Sequence, residues 1–268
     1  MDMKIAAKIM SVLSISMFLS NTMAHSQDRT GIVAHRGFWN CEEAGFSENS
    51  IAALRCAQEA GFRGSEFDVN MTSDKQLIVF HDNSVEGKRI EDHPFSDFTY
   101  YRLPNGEPIP TLDQYLEQGK KSAETMLVCE LKPHSSSDIE NKLVGRTIAC
   151  IDAHGLLDPE RVMFISFSFH MCRILALLLP DFTIQYLGSD KSPRKVWQEG
   201  INGIDYHHYA LRMHPRWIRI AHERKMSVNT WTVNKKGTME KMLERKVDFL
   251  TTDNPMIAKE LIESNEPR

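Results

Sequence analysis

Short apolar segments alternate with longer amphipathic segments along the chain from about residue 30 onward. The apolar segments are short and rich in β-branched residues, which is typical of buried strands. The longer segments repeat apolar residues every three to four positions, and several begin near Ser, Thr, Asn or Pro, which predicts helices. Repeated strand–helix alternation predicts an α/β protein whose strands run parallel.

The pattern assigns each element by residue number. Strands are predicted over 31–35, 64–70, 126–131, 162–167, 182–186, 203–206, 227–233 and 248–251, with a further extended segment over 76–80. Helices are predicted over 50–60, 111–121, 137–154, 170–179, 193–199, 215–224, 237–245 and 254–263. Asn49 and Thr111 are the expected N-caps of the first two helices. Residues 83–110, rich in Gly, Pro and charge, are predicted to be irregular.

Eight strand–helix units of this kind predict a single-domain (β/α)₈ barrel with right-handed crossovers. A length of 268 residues suits that fold, and an open doubly wound sheet is the alternative. Residues 83–110 then form a short insertion between strand 2 and helix 2. In a barrel, functional side chains should collect where the strands end.

The first residues differ from the rest of the chain. Lys4 and Lys8 precede a mostly apolar segment over 9–19, and Thr22 and Ala24 follow it. A positive start, a short apolar segment and small residues after it predict a secretory signal peptide over 1–24. A membrane-spanning helix fits less well, because the apolar segment is shorter than the ~20 residues that such a helix needs. We therefore expect an exported protein, periplasmic or extracellular, whose barrel domain covers 30–265. An uncleaved membrane anchor is the alternative.

Composition narrows the choice of partner. A net charge of −4 and a pI near 6.3 give no reason to expect nucleic acid as a ligand.

The five cysteines are an odd number without a CxxC pair, and no Cys/His group has the spacing of a zinc site. The apolar neighbours of Cys129 and Cys150 predict buried thiols, and a disulfide between Cys41 and Cys56 is left open.

Two strands carry acidic residues at alternate positions. Glu66 and Asp68 lie in SEFDV, and Glu130 with Lys132 lies in ELK. Residues i and i+2 of a strand face the same side, so three carboxylates should converge at one end of the barrel. Three uncompensated carboxylates repel one another, and a divalent cation relieves that repulsion. An all-oxygen ligand set favours Mg²⁺ or Ca²⁺ over Zn²⁺.

Two histidines flank the first carboxylate pair. His35 ends the first strand, and His81 ends the extended segment that follows the second. Because histidine titrates near neutrality, one imidazole can accept a proton while the other donates one. Arg36 and Lys132 supply cations for a phosphate group. We expect Asp82 and Glu48 to orient the histidine rings.

The motifs resemble those of the glycerophosphodiester phosphodiesterase family and occur in the same order. They are AHRG (34–37), ENS (48–50), the E-x-D of SEFDV (66–68), HD (81–82), ELKP (130–133), WTVN (231–234) and TTDNP (251–255). The resemblance spans residues 32–262 and implies a (β/α)₈ barrel that hydrolyses glycerophosphodiesters to glycerol 3-phosphate and an alcohol. Family members often have threonine at the position of Ser50, and the insertion over 83–110 is short for the family.

The resemblance also implies a role for most of the candidate residues. By role, these are the acid–base residues His35 and His81, the metal ligands Glu66, Asp68 and Glu130, and the phosphate contacts Arg36 and Lys132. Apart from the resemblance, Glu48 and Trp231 are expected to support the site. Trp231 either packs against the substrate or fills the top of the barrel. The nucleophile is either water or the glycerol 2-hydroxyl, by way of a cyclic phosphate.

Two other functions compete with this one. A barrel phospholipase, of the phosphatidylinositol phospholipase C or sphingomyelinase D kind, would act on intact lipid and expose an apolar rim to the membrane. The aromatic residues of the insertion are compatible with it, namely Phe95, Phe98, Tyr100 and Tyr101. An exported, non-catalytic protein that binds phosphate esters is the alternative from another class. The complete set of two histidines and three carboxylates favours an enzyme.

Overall fold

The computed structural model describes residues 30–264, so the predicted signal peptide lies outside the described residues. The strands are β1 Gly31–Ala34, β2 Gly64–Met71, β3 Leu77–Val79, β4 Ser84–Val85, β5 Lys88–Arg89, β6 Met126–Leu131, β7 Val162–Ser166, β8 Ile184–Tyr186, β9 Gly203–His207, β10 Ser227–Trp231 and β11 Phe249–Thr252. The helices are α1 Ile51–Glu59, α2 Leu112–Gly119, α3 Ser137–Ala153, α4 Phe169–Leu178, α5 Pro193–Gln198, α6 His208–Met213, α7 Trp217–His222, α8 Lys236–Glu244 and α9 Pro255–Ser264.

Eight parallel strands close into a barrel. They follow the order β1, β2, β6, β7, β8, β9, β10, β11, and β11 pairs with β1. The closing register pairs Ala34 with Thr252 on one side and with Ser65 on the other. β3 adds antiparallel to β2 outside the closed ring. The predicted (β/α)₈ barrel is confirmed, and the open sheet is excluded because the first and last strands pair.

Apolar side chains fill two layers of this barrel. A large cluster packs the helices against the outside of the strands, with Phe67, Phe164 and Tyr206 among its buried members. A smaller cluster of inward-facing side chains includes Val33, Val128 and Ile165. The strands are therefore buried on both faces, which explains why their sequences read as apolar segments.

Local sequence sets most helix starts. Thr111 caps α2 with a capping box, as predicted, and Pro193 occupies the first turn of α5 after the cap Ser192. The predicted cap of α1 was wrong by one residue, because the Ser50 hydroxyl accepts a hydrogen bond from Ala53 N–H at 2.9 Å. The six-residue helix α6 was not predicted, because so short a segment carries little periodicity.

The insertion over 83–110 is more ordered than its sequence indicates. It contains the β4–β5 hairpin and two short 3₁₀ helices, Ile90–Asp92 and Phe95–Phe98. It also has its own apolar cluster, which includes Ile78, Ile90, Phe98 and Ile109.

All five cysteines lie in the described part of the chain, and all are free thiols. Cys41 and Cys56 therefore form no disulfide in this structure. Cys129 is buried, as predicted, but Cys150 is only half-buried. Among residues 30–264, no helix combines the length and the apolar character required to cross a membrane.

Candidate active site

The turn after β1 brings backbone groups to the carboxyl end of β2. Arg36 and Gly37 both have left-handed backbone conformations, with φ of 55° and 82°. A Cβ at Gly37 would lie 2.7 Å from Cβ of Ala53, so α1 can pack here only against glycine. The strained backbone of Arg36 directs its N–H to Oε2 of Glu66 at 2.7 Å.

The three predicted metal ligands converge as expected. The β2–β6 register pairs Asp68 with Glu130, and Glu66 precedes Asp68 by two positions on the same strand. One carboxylate oxygen from each residue lies within 4.8 Å of the others, and all three side chains are buried. Oε1 of Glu66 has no hydrogen-bond partner among the described residues. An unpaired buried carboxylate oxygen beside two more carboxylates fits a cation ligand.

Asn49 orients one of these carboxylates. Its Nδ2 donates to Oδ2 of Asp68 at 2.8 Å, and its Oδ1 accepts from the Asp68 N–H at 3.1 Å. Its own N–H donates to the Arg36 carbonyl at 2.9 Å. The residue has a φ of 56°, a conformation that asparagine tolerates better than most side chains. Asn49 was predicted to be a helix cap, and it instead connects the turn after β1 to the acidic cluster.

Lys132 lies between two of the carboxylates. Its Nζ is 2.7 Å from Oε1 of Glu130 and 3.0 Å from Oδ1 of Asp68, which leaves one of its three N–H donors for a ligand. Burial lowers the pKa of Lys132, but the two carboxylates outweigh burial and raise it, so the side chain is a cation. Burial raises the pKa of Asp68, but Lys132 and His81 outweigh that effect and hold it below its usual range.

The pKa values of the other two carboxyl groups, Glu66 and Glu130, are shifted upward instead. Burial, together with the negative charge of Asp68, raises the pKa of Glu130 to about 7. Burial and the neighbouring Asp68 and Glu130 raise the pKa of Glu66 well above its usual value. Lys132 and Arg36 therefore do not fully compensate the cluster, and a divalent cation would complete the compensation.

His35 has a carboxylate partner that was not predicted. Its Nδ1 lies 2.6 Å from Oδ1 of Asp253, which follows β11. Asn234 donates to the other Asp253 oxygen at 2.5 Å and accepts from the Asp253 N–H at 2.9 Å. This arrangement fixes the ring and, among residues 30–264, leaves Nε2 of His35 without a hydrogen-bond partner. Asn234 lies in the motif WTVN and Asp253 in TTDNP. These motifs marked both residues as candidates for the site, but they did not predict that the two residues contact each other or that Asp253 contacts His35.

His81 is held by its neighbour in sequence, as predicted. Its Nδ1 lies 2.8 Å from Oδ1 of Asp82. Burial lowers the pKa of His81, an effect that Lys132 and Arg36 reinforce and that Asp68 and Asp82 oppose. The ring is therefore neutral at neutral pH, and its free Nε2 can exchange a proton.

Glu48 does not orient a histidine, so that prediction was wrong. Its Oε2 accepts a hydrogen bond from Nη1 of Arg36 at 2.5 Å. The same guanidinium lies with Nε 3.8 Å from Oδ2 of Asp68. Two carboxylates therefore hold Arg36 at the edge of the acidic cluster, where its remaining donors are available to an anion.

One cleft is lined by both histidines, Arg36 and two of the three carboxylates. It is lined by His35, Arg36, Glu66, His81, Glu130, Ile165, Phe167, Leu187, Asp205, Trp231, Thr232 and Thr251. Phe167 and Trp231 meet edge to face, with ring centroids 5.4 Å apart, and form an apolar wall. Nε1 of Trp231 donates to the carbonyl of Asp205 at 3.0 Å, which fixes the indole. The cleft thus combines cations and acid–base groups on one side with an aromatic wall on the other.

The comparisons with known proteins agree with this geometry. The model of the glycerophosphoryl diester phosphodiesterase family matches residues 35–257. A curated glycerophosphodiester phosphodiesterase from Caldanaerobacter subterraneus is 30% identical over 252 residues, which cover 85% of this chain and 95% of the relative.

Solved structures agree as well. A glycerophosphodiester phosphodiesterase from Parabacteroides distasonis superposes with a TM-score of 0.85 at 36% identity, covering 88% of this chain and 98% of the other. A phosphodiesterase from Oleispira antarctica, solved with the product sn-glycerol-3-phosphate, has the same fold with a TM-score of 0.75 at 21% identity, covering 88% and 97%.

The family model covers most of the chain, and relatives of at least 30% identity match along nearly their whole length. The resemblance in the motifs is therefore confirmed by independent comparisons of sequence and fold. The chain belongs to the glycerophosphoryl diester phosphodiesterase family and is a phosphoric diester hydrolase.

Proposed function

We propose that this enzyme hydrolyses glycerophosphodiesters to glycerol 3-phosphate and an alcohol, using a divalent cation and the pair His35 and His81. The observation that carries the proposal is the cleft in which both imidazoles lie beside three buried carboxylates and two cations. Family membership supports the reaction, and the product bound to the Oleispira protein is glycerol 3-phosphate.

The donor set supports Mg²⁺ or Ca²⁺ as the cation. Glu66, Asp68 and Glu130 offer only oxygen ligands, which these hard cations prefer. The unpaired Oε1 of Glu66 supports a cation here, as do the burial and mutual repulsion that raise the pKa of Glu66 and Glu130. When bound, the cation would lower the charge on the phosphodiester and favour nucleophilic attack on phosphorus.

The side chains around this cluster bind the phosphate group and transfer protons. The free donors of Arg36 and Lys132 bind the phosphate oxygens and stabilise the charge that develops on them. One imidazole removes a proton from the attacking hydroxyl, and the other protonates the leaving oxygen. Asp253 and Asp82 hold the Nδ1 sides of the two rings, and both histidines line the cleft, so Nε2 is the nitrogen assigned to proton transfer.

The insertion gives no support to an intact-lipid substrate. Phe98 is fully buried, and Phe95 and Tyr101 pack against the insertion's own apolar cluster. Of the four aromatic residues that made a lipid substrate plausible, Tyr100 is the exposed one, and its hydroxyl donates to Glu86 at 2.8 Å. The deacylated headgroup therefore remains the proposed substrate.

Product release is the direct test of the proposed reaction. We expect the purified enzyme with Mg²⁺ or Ca²⁺ to release glycerol 3-phosphate from glycerophosphocholine, -ethanolamine, -glycerol or -inositol, and EDTA to abolish that release. An enzyme-coupled assay for glycerol 3-phosphate measures both results, and adding back each cation separately identifies the preferred one. Full turnover in EDTA, or turnover of lysophospholipids alone, would contradict the proposal.

The raised pKa of Glu130 predicts a dependence of stability on pH in the metal-free enzyme. Its ordinary value is 4.5 and its folded value is about 7, so the folded state binds more protons than the unfolded state in this interval. The contribution of Glu130 to the free energy of unfolding should therefore be fully present at pH 4.5 and fall as the pH rises through 7, by on the order of 3 kcal/mol. Mg²⁺ should oppose the fall, because it binds the ionised carboxylate.

Urea unfolding in EDTA and in Mg²⁺, between pH 4.5 and 8, measures this effect. Glu130→Gln is the matched control, since its amide does not titrate and the slope from this group should disappear. Identical pH profiles for the wild type and this variant in EDTA would show that Glu130 does not titrate in this range.

We also propose that the enzyme is exported, on the strength of the N-terminal pattern over 1–24. Export would place the enzyme outside the cytoplasmic membrane, where it would contact glycerophosphodiesters before they enter the cell. Expression of the full chain, followed by sequencing of the mature N-terminus, tests this; an intact Met1 in a cytosolic fraction would contradict it.

A further inference from the structure

A second group of metal-ligating side chains lies outside the barrel, between α2 and α3. Asp113 and Glu117 belong to α2, and Cys150 and His154 lie at the end of α3. Residues four apart share one face of a helix, so each helix presents a pair of donors. The two pairs face each other, with Asp113 beside Cys150 and Glu117 beside His154.

Ligand atoms of Asp113, Cys150 and His154 all lie within 4.8 Å of one another, close enough to bind one ion. Oδ1 of Asp113 lies 3.6 Å from Sγ of Cys150 and 3.8 Å from Nε2 of His154, and Oε1 of Glu117 lies 3.4 Å from the same nitrogen. Ligand atoms bound to one tetrahedral Zn²⁺ are separated by roughly 3.3–3.8 Å, as its bond lengths of about 2.0–2.3 Å require. Asp113, Cys150 and His154 therefore need little rearrangement to meet on one ion. The exposed carboxylate of Glu117, which lies beside His154 but outside that group of three, would rotate to become the fourth ligand.

The histidine is already oriented for this role. Nδ1 of His154 lies 2.8 Å from the Cys150 carbonyl, which accepts its proton and leaves the lone pair of Nε2 directed at the two carboxylates. A hydrogen bond from the second ring nitrogen to a carbonyl is the usual way in which a metal-bound histidine is held. His154 is also largely buried, whereas the two carboxylates are exposed and free to adjust.

We propose that these four residues form a structural Zn²⁺ site that links α2 to α3. A thiolate, an imidazole and carboxylates suit Zn²⁺ and do not suit Mg²⁺ or Ca²⁺, so this site and the catalytic cluster differ in the ion that each selects. The competing ion pair between Glu117 and Lys120 is solvent-exposed and weak. Binding would release the thiol proton of Cys150 and stabilise the folded chain.

The sequence alone did not indicate this site. Cys150 and His154 provide only two ligands, and the other two come from a helix that precedes them by more than thirty positions. The prediction that no Cys/His group forms a zinc site considered spacing along one segment. The packing of α2 against α3 supplies the missing donors.

Cobalt absorption tests the proposal independently of catalysis. The full chain, reduced and held in excess Mg²⁺ to fill the catalytic cluster, is titrated with Co²⁺. We expect a thiolate-to-cobalt charge-transfer band that saturates at one ion per chain and is removed by Zn²⁺. Cys150→Ser should eliminate the band, and His154→Gln should weaken Co²⁺ binding at least tenfold. Cys41→Ser is the matched control, since it removes a half-buried thiol that packs elsewhere.

A thermal shift supplies the second measurement. Zn²⁺ should raise the Tm of the wild type and of Cys41→Ser but not that of Cys150→Ser, because only a folded-state ligand stabilises in this way. Circular dichroism confirms that each variant is folded before titration. The absence of a charge-transfer band in folded wild type, or a band of equal strength in Cys150→Ser, would overturn the proposal.

Discussion

Replacing either His35 or His81 by alanine is expected to lower kcat for glycerophosphocholine by about 10²–10⁴, with folding unchanged. Loss of a general acid or base has an effect of this size. Both rings border the cleft rather than the apolar core, so their truncation leaves the core intact. The assay is initial-rate release of glycerol 3-phosphate, with circular dichroism to confirm folding. His170→Ala is the matched control, since that half-buried ring lies on α4 outside the cleft and bonds to Asn141 of α3.

The choice of leaving group separates the two roles. A p-nitrophenolate ion leaves without being protonated, so the variant that lacks the general acid should recover much of its rate on a p-nitrophenyl phosphodiester. The variant that lacks the general base should remain slow on both substrates. Near-normal turnover of glycerophosphocholine in both alanine variants would refute the assignment of the histidine pair.

Asp253 should act through His35. Asp253→Asn removes the carboxylate that holds Nδ1, and we expect a fall in kcat of roughly 10–100-fold with little change in KM. Combining it with His35→Ala should cost no more than His35→Ala alone, because a residue that acts only through the ring has no effect once the ring is absent. Additive losses in the double variant would instead assign Asp253 a separate role.

Glu66→Gln and Asp68→Asn are expected to abolish metal-dependent activity but to have opposite effects on stability. Removing one ligand charge should reduce kcat/KM by at least about 100-fold, because the charge stabilisation that a cation supplies is worth several kcal/mol. The amide introduced at position 66 can still accept the Arg36 N–H and no longer repels its neighbours. In EDTA, Glu66→Gln should therefore be as stable as the wild type or more stable.

Asp68→Asn should destabilise the fold by about 3 kcal/mol, the usual cost of breaking a buried ion pair from one side. Asp68 pairs with Lys132 at 3.0 Å and accepts from Asn49 at 2.8 Å, so its loss leaves a buried ammonium with a weaker partner. Kinetics in Mg²⁺ and urea unfolding in EDTA measure both properties, with the exposed Glu124→Gln as control. Equal destabilisation by the two substitutions would show that Glu66 is not electrostatically strained.

Much of the candidate site could be predicted from short sequence motifs. Glu66 and Asp68 lie on one strand face because strand geometry alternates, and ELK repeats this spacing on the strand that pairs with it. Their convergence needed only that β2 and β6 be neighbours, which the order of the strand–helix units predicted. Ring orientation of His81 was also local, because Asp82 is its next residue.

Other contacts depend on distant segments and could not be predicted. Asp253 meets His35 only because β11 closes the barrel against β1, across 218 positions of the chain. Asn49 is not the helix cap that was predicted, because the left-handed conformations of Arg36 and Asn49 place its side-chain amide against Asp68. Glu48 was given the wrong partner for the same reason, since no local rule distinguishes a histidine from Arg36 as its neighbour.

The sequence by itself determined the eight strand–helix units and their order, the barrel, the family and the residue types of the catalytic cluster. These follow from strand and helix periods and from motif spacing, which are properties of neighbouring residues. Only the tertiary structure decided which groups touch: the Asp253–His35 pair, the Asn49–Asp68 bridge and the donors Asp113, Cys150 and His154 between α2 and α3. Barrel closure and helix packing create these contacts between segments that are far apart in the chain, and no local pattern encodes such a distance.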